Sequence, residues 1–294
     1  MDEREWLAER FEAHRAHLRG VAFRMLGSLS EADDAVQEAW LRLSRADTSG
    51  VENLGGWLTT LVARVSLDML RSRNSRREEP LGVHPPAAMA SNAGAADPEH
   101  EAILADSVGL ALLVVLERLN PAERLAFVLH DMFAVPFDEI ARIVGRSPTA
   151  ARQLASRARR RVQGAGAARN ADLTRQREVV DAFLAALRGG DFDALLAVLD
   201  PDVVVRADSA AASPGAPSEV RGARVWAKQA LAFSRHARFM RAALVNGSVG
   251  AVWAPRGRLV RVLRFVMERG KILQIDVVAD PAHLRELELA VLED

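Results

Sequence analysis

PFDEIARIVGRSPTAARQLASRARRRV, running from Pro136 to Val162, decides how this chain is read. Its first half places Phe137, Ile140, Ala141 and Val144 at intervals of three and four, the spacing of one helix face. Gly145 follows as a C-terminal stop able to take positive φ. Ser147 offers an N-cap hydroxyl, and Pro148 stands at the first helical position, where no N–H is needed. In the next helix Ala151, Leu154, Ala155, Ala158 and Val162 form one stripe, with Thr149, Arg152, Gln153, Ser156 and Arg160 opposite. Two short helices joined by a tight turn, the second with a polar outer face, make the form in which a helix-turn-helix enters a major groove. Arg can pair with guanine, Gln with adenine, and hydroxyls can hold phosphate. An αα-hairpin with a solvated Arg face would share this spacing. Against it stand Arg157, Arg159, Arg160 and Arg161, so dense a cluster that it repels itself unless a polyanion neutralises it.

Working outward, 294 residues are long for one core and imply two or three domains. Lys+Arg and Asp+Glu both number 39, so the basic character is local rather than global. With no cysteine, disulfides, thiolate zinc sites and thiol nucleophiles are excluded. The N-terminal MDEREWLAERF is acidic and amphipathic, unlike a signal peptide, and no apolar run has transmembrane length. A soluble cytoplasmic protein without membrane partners is expected.

Residues 3 to 27 carry a helical pattern through Leu7, Phe11, His14, Leu18, Val21, Ala22 and Met25, ended by Gly27. SLSEADDAVQEAWLRL then opens with Ser30 and Asp33 as a capping pair. It buries Ala32, Ala35, Val36, Ala39, Trp40 and Leu43 and turns Glu31, Asp33, Asp34, Gln37 and Glu38 outward. First-turn acids suit a helix dipole, which accounts for Glu31, Asp33 and Asp34 but not Glu38. After a Gly-containing loop, WLTTLVARVSLDMLRSRNSRR forms a helix with basic residues at Arg64, Arg71, Arg73, Arg76 and Arg77. Glu78 to Pro98 reads as a flexible linker. Helical spacing resumes through Ile103, Val108, Leu112 and Leu116, and Asn120-Pro121 caps the helix that feeds the helix-turn-helix. Beyond a second linker, helices over about 173 to 199 break at Gly189-Gly190, and β-rich runs follow. Among these, alternation from Leu259 to Phe265 and the turn Arg269-Gly270-Lys271 predict an antiparallel hairpin.

The order of these blocks resembles a bacterial RNA polymerase sigma factor of the extracytoplasmic-function class over nearly all of residues 1 to 165. The α+β tail resembles a SnoaL-like, nuclear-transport-factor-like cone, a combination similar to the SigJ-type group. The resemblance implies a multidomain chain. A helical region-2 domain spans 1–80, a linker 81–106 and a region-4 helix-turn-helix domain 107–165, and a cone-shaped α+β regulatory domain spans 172–294. It also implies that Asp33, Asp34, Gln37, Glu38 and Trp40 dock on the β′ clamp helices of the polymerase core. The loop from Ser49 to Gly56 would cradle a flipped-out base. Arg64, Ser66, Asp68 and Arg71 would lie along the minus-ten helix. Arg146, Thr149, Arg152, Gln153, Ser156, Arg157 and Arg160 would meet the minus-thirty-five element of promoter DNA. Relatives carry an Asp-Gly-Gly-Gly-Lys run where this chain has ADSAAASPGAPSE, and a Pro-rich linker motif for which Glu79-Pro80-Leu81 is a reduced match.

Cones of this kind often enclose an apolar pocket. The candidates here are Asp208, His236, Asn246, Trp253 and Asp276. No Asp/His pairing is evident, so the tail is expected to be regulatory, with a small ligand or an intramolecular contact, rather than an enzyme. Neither a metal nor a cofactor is expected. The rival reading is an operator-binding regulator, or a small-ligand module with a SnoaL-like sensor or enzyme domain. It predicts operator binding without polymerase.

Overall fold

The structure, a computed structural model, describes residues 3–46, 51, 53–77, 107–164, 171–212, 217–255 and 259–292. The first linker, with Glu79-Pro80-Leu81, lies outside the described residues, as do 49, 50 and 52 of the base-cradling loop. The chain divides into two compact units. One comprises residues 1–103 and 116–159, the other 104–115 and 160–294. Residues 104–115, and the chain from 160 onwards, thus group with the C-terminal residues.

In the first unit α1 (Glu3–Leu26), α2 (Leu29–Leu43) and α3 (Leu54–Arg77) pack on one another. Phe11, Leu18, Val21 and Met25 of α1, Ala32, Ala35, Val36, Ala39 and Leu43 of α2, and Leu58, Val62, Val65 and Leu67 of α3 are buried. Gly27 ends α1 with φ 74°. The expected Ser30–Asp33 capping pair is corrected: α2 begins at Leu29, its cap is Ser28, and no side chain closes it. Helix α3 likewise starts three residues before Trp57, where Asn53 Oδ1 accepts from Gly56 N–H at 3.0 Å.

Helix α4 (Ser107–Glu117) is apolar around most of its circumference, with Ala111, Leu113, Val114, Val115 and Leu116 all buried. Such a helix cannot stand on a surface. Asn120 Oδ1 caps α5 (Pro121–Phe127) by accepting from Ala122 N–H. One π turn, Val128–Met132, continues α5, and Ala134 then takes φ 53°. Helix α6 (Phe137–Val144) and helix α7 (Pro148–Gln163) form the helix-turn-helix. Both α5 and α6 pack against α3.

The second unit has its helices first: α8 (Ala171–Gly189) and α9 (Phe192–Val198), broken at Gly190 as the sequence indicates. Its sheet has the order β2-β1-β6-β5-β4-β3-β7, over β1 (Leu199–Ala207), β2 (Glu219–Arg221), β3 (Met240–Val245), β4 (Ser248–Trp253), β5 (Arg261–Glu268), β6 (Lys271–Val278) and β7 (Leu289–Ala290). Short helices α10 (Ala223–Leu231) and α11 (Ser234–Ala237) precede β3, and α12 (Pro281–Glu286) precedes β7. Among the described residues only β1 and β6 pair in parallel; the other pairs are antiparallel. The turn after β5 places Arg269 and Gly270 at φ 52° and 77°, the two left-handed residues of a type I′ hairpin. Val205, Ile275, Phe265, Leu263 and Ala251 line one face and close on Phe183 of α8 and Trp226 of α10. Helices enclosed by one curled sheet give the SnoaL-like α+β form that the sequence implies.

Candidate nucleic-acid interface and polymerase-facing surface

The helix-turn-helix is built as its residues dictate. Gly145 takes φ 69° and ψ 40°, and Arg146 N–H bonds back to Ala141 O at 3.0 Å, closing α6 in a left-handed cap. Ser147 Oγ accepts from Ala150 N–H at 3.2 Å and opens α7. Ile140, Ala141 and Val144 of α6 and Ala151, Leu154, Ala155, Ala158 and Val162 of α7 are buried. Arg146, Thr149, Arg152, Gln153, Ser156, Arg157 and Arg160 are all exposed. Arg142 and Arg146 line an open groove at the corner with Asp138. The self-repulsion of the Arg cluster is partly relieved by an acidic neighbour. Arg159 Nε donates to Asp131 Oδ1 at 2.7 Å, so Arg159 belongs to the frame rather than to the polar face.

On α3, Arg64, Asp68 and Arg71 are exposed along one stripe, and Arg71 lies 4.0 Å from Asp68. Ser66 is a correction. It is fully buried, and its Oγ donates to Val62 O at 2.9 Å, so it cannot reach a base from this position. Two residues from Arg64 is about 200° around a helix, which turns Ser66 towards the core.

On α2, Asp34 and Gln37 face solvent, Asp33 pairs with Arg19 at 2.8 Å, and Glu38 pairs with Arg42 at 2.8 Å. Trp40 is half-buried against Phe11, with ring centroids 5.1 Å apart, and thus serves the core more than the surface. Leu41, unremarked in the sequence, extends the stripe of Asp34, Gln37 and Glu38 and is 42% exposed. An exposed Leu ending an acidic helical stripe offers a partner both charge and apolar area.

The first unit also holds buried polar contacts between α1 and the later helices. Arg124 of α5 is buried, and its Nε donates to Arg24 O at 3.0 Å. Burial pushes its guanidinium down to about 10, against the attraction of Glu117, with Arg73 adding repulsion. Arg73 in turn pairs with Glu31 and donates to Leu26 O at 3.2 Å. A Cβ on Gly27 would make only ordinary contact with Arg124 Nη2 and Glu117 Oε1 at 3.6 Å, so it is the positive φ of 74° rather than space that favours glycine there. His17 lies edge-on to Phe133 at 5.2 Å. The Thr59 hydroxyl donates to Gly55 O, which leaves its oxygen to accept from His17 Nε2 at 3.2 Å.

Partial burial, and then His14, hold His17 below its usual 6.5. A histidine with a lowered folded value contributes stability that is complete above the unfolded value and lost as pH falls towards the folded one. Between about pH 7.5 and about pH 5.5 the wild type should therefore lose more stability than His17→Gln. Urea unfolding at the two pH values checks this, and equal losses would contradict it.

In the second unit the pocket candidates do not converge. Asp208 pins a loop: Oδ1 accepts from Ala211 N–H, and Oδ2 accepts from Ala279 and Asp280 N–H at 2.8 Å. Asn246 sits in the β3–β4 turn with φ 50°, its Oδ1 accepting from Glu288 N–H at 2.8 Å. Asp276 is corrected too. Ile275 joins the core cluster and Val277 packs against it, so Asp276 faces the other side of the sheet, held by Arg264 at 2.9 Å and Gln274 at 2.7 Å. The side chain of His236 lies outside the described residues. Trp253 shares the inner face with Arg261, whose guanidinium lies 5.5 Å over the indole. Arg261 was legible beforehand, since alternation puts it on the same face as Leu263 and Phe265. Among the described residues no cluster of His, Asp or Glu could hold a metal.

The sigma-70 region 2 family matches residues 10–76, and the sigma-70 region 4 family matches residues 109–162. The ECF RNA polymerase sigma factor SigJ of Mycobacterium tuberculosis (strain ATCC 25618 / H37Rv) is 40% identical over 284 residues, covering 92% of this chain and 91% of that protein. The chain belongs to the ECF RNA polymerase sigma factors. This sigma factor is also 35% identical over 287 residues to the probable ECF RNA polymerase sigma factor SigI of M. tuberculosis (strain CDC 1551 / Oshkosh), with 98% of each covered. The crystal structure of M. tuberculosis SigJ is 36% identical, with a TM-score of 0.45, covering 94% of this chain and 97% of that one. Membership makes the sigma factor a promoter-specific initiation factor whose partners are core RNA polymerase and promoter DNA. Among the described residues, no helix is long and apolar enough to cross a membrane.

Proposed function

We propose the following division of labour in this sigma factor. The module spanning 1–80 docks the acidic stripe of α2 on the β′ clamp helices and presents Arg64, Asp68 and Arg71 to the opened minus-ten strand. The module spanning 107–165 reads the minus-thirty-five element with the outer face of α7. The module spanning 172–294 modulates this activity in the cytoplasm, without catalysis, through a small ligand or through its hold on the region-4 segment. The observation that carries the reading is the two-sided recognition helix, with five apolar residues buried and Thr149, Arg152, Gln153 and Ser156 exposed opposite them. Its arginines bind phosphate without regard to sequence, while a few polar side chains select bases.

Such a hold is supported by the hydrogen bond that Val291 N–H donates to Val162 O, at the end of α7, at 2.8 Å. The reading also requires the first unit to open. The two promoter elements lie about 25 base pairs, or roughly 85 Å, apart on B-form duplex. In the structure α6 packs directly on α3. Polymerase binding supplies the free energy of separation in this account.

Arg152→Ala should lower discrimination at one minus-thirty-five base by about 5- to 150-fold, equivalent to about 1–3 kcal/mol, with little change on other templates. Run-off transcription on templates with single-base changes measures this. A uniform loss on every template would make Arg152 a phosphate contact instead.

A further inference from the structure

We infer that Phe137 is a positioning residue for promoter reading, its ring being the platform that holds Arg152 in the conformation that reads a base. The inference rests on the assignment of Arg152 as a base contact. The Arg152 guanidinium lies 5.6 Å above the centroid of the Phe137 ring. The His130 ring also packs on Phe137, with centroids 3.8 Å apart and planes inclined by 30°. His130 Nδ1 lies 3.2 Å from Val135 O, which fixes the imidazole to the backbone that leads into α6. The π turn over Val128–Met132 and the left-handed Ala134 bring His130 back under this helix start. His130, Phe137 and Arg152 therefore connect the π turn to the exposed face of α7.

An exposed arginine on a recognition helix otherwise samples many rotamers, and each base contact must first select one. Stacking over an aromatic ring limits that sampling. It also leaves the in-plane N–H groups of the guanidinium available, and those are the donors that bind guanine O6 and N7. Phe137 reads from sequence as an ordinary buried anchor of α6. It is only half-buried, and its position at the first residue of that helix brings it to Arg152 across the turn. Leucine at this position would keep the apolar contact and remove the π face. Tryptophan would keep both.

The test uses the full-length chain with core polymerase in run-off transcription. The templates are a promoter the chain uses and the single-base variant against which Arg152 discriminates. Phe137→Leu should lose about 3- to 10-fold of that discrimination. Phe137→Trp should retain it, and Phe137→Leu combined with Arg152→Ala should match Arg152→Ala alone. Thermal unfolding checks the fold of each variant, and Phe137→Met replaces the leucine variant if that one unfolds. Wild-type discrimination in the leucine or methionine variant, additive losses in the double variant, or equal loss of output on both templates would each overturn the platform. If Arg152→Ala itself changes discrimination at no base, the assignment of Arg152 fails and the platform falls with it. Intact discrimination by Arg152 with an inert Phe137 overturns the platform alone.

Discussion

Arg124→Ala should cost the first unit about 3 kcal/mol of stability, whereas Arg124→Met should change it by about 1 kcal/mol or less. Arg124 is 3% exposed, and its Nε holds Arg24 O. Both variants lose the bond to that carbonyl and the positive neighbour of Glu117, but alanine alone also leaves a cavity the length of the Arg side chain. Methionine fills the space and avoids burying a charge. That burial has a cost, since the guanidinium is pushed well below its ordinary range, down to about 10. Because the folded value lies below the unfolded one, stability linked to this group appears only above about pH 10. At neutral pH both states are protonated, and the burial cost is present in full. Urea unfolding of the full chain, followed by tryptophan fluorescence, to which Trp6, Trp40 and Trp57 of the first unit and Trp226 and Trp253 of the second contribute, measures both variants. Equal destabilisation by Ala and Met would show that the charge, rather than the packing, holds α5 to α1.

The second large effect belongs to α2. The double substitution Asp34→Lys with Glu38→Lys should weaken association with core polymerase by about 100-fold at moderate salt. Asp34 is exposed, and Glu38 pairs only across one helical turn with Arg42, so neither supports the core. Reversing both charges places like against like wherever the stripe meets a basic partner surface. Such juxtaposition costs several kcal/mol. Competition for core enzyme against the unmodified chain reads the change, and rising salt should narrow the gap. Unaltered competition would remove α2 from the polymerase interface.

The helix-turn-helix was legible because each signal in it is local. Gly145 needs only its own φ, Ser147 caps its own helix, and the stripes of α7 follow from spacing alone. The hairpin turn at Arg269-Gly270 was legible for the same reason. Ser66 shows where an inherited position and a physical one diverge. The family resemblance suggests DNA, while its angle from Arg64 points to the core, where it is buried. Asp276 repeats the lesson on a strand, where the inward course of Ile275 and Val277 fixes the other face. What the sequence could not convey is long-range. The parallel pairing of β1 with β6 spans the whole C-terminal domain. The grouping of α4 with the C-terminal residues depends on contacts with segments far along the chain. Its apolar circumference announced only that something must cover it. The approach of His130 and of the Arg152 guanidinium to the Phe137 ring depends on a π turn, which no periodicity in the surrounding residues encodes.

The central claim is that two helical modules act on promoter DNA only as part of a larger enzyme. Run-off transcription from a promoter library, with purified chain added to bacterial core polymerase, tests it most directly. The account predicts discrete transcripts that appear only when chain and core are both present, from promoters sharing minus-thirty-five and minus-ten sequences. No transcripts above core alone, together with tight operator binding by the chain without polymerase, would contradict it.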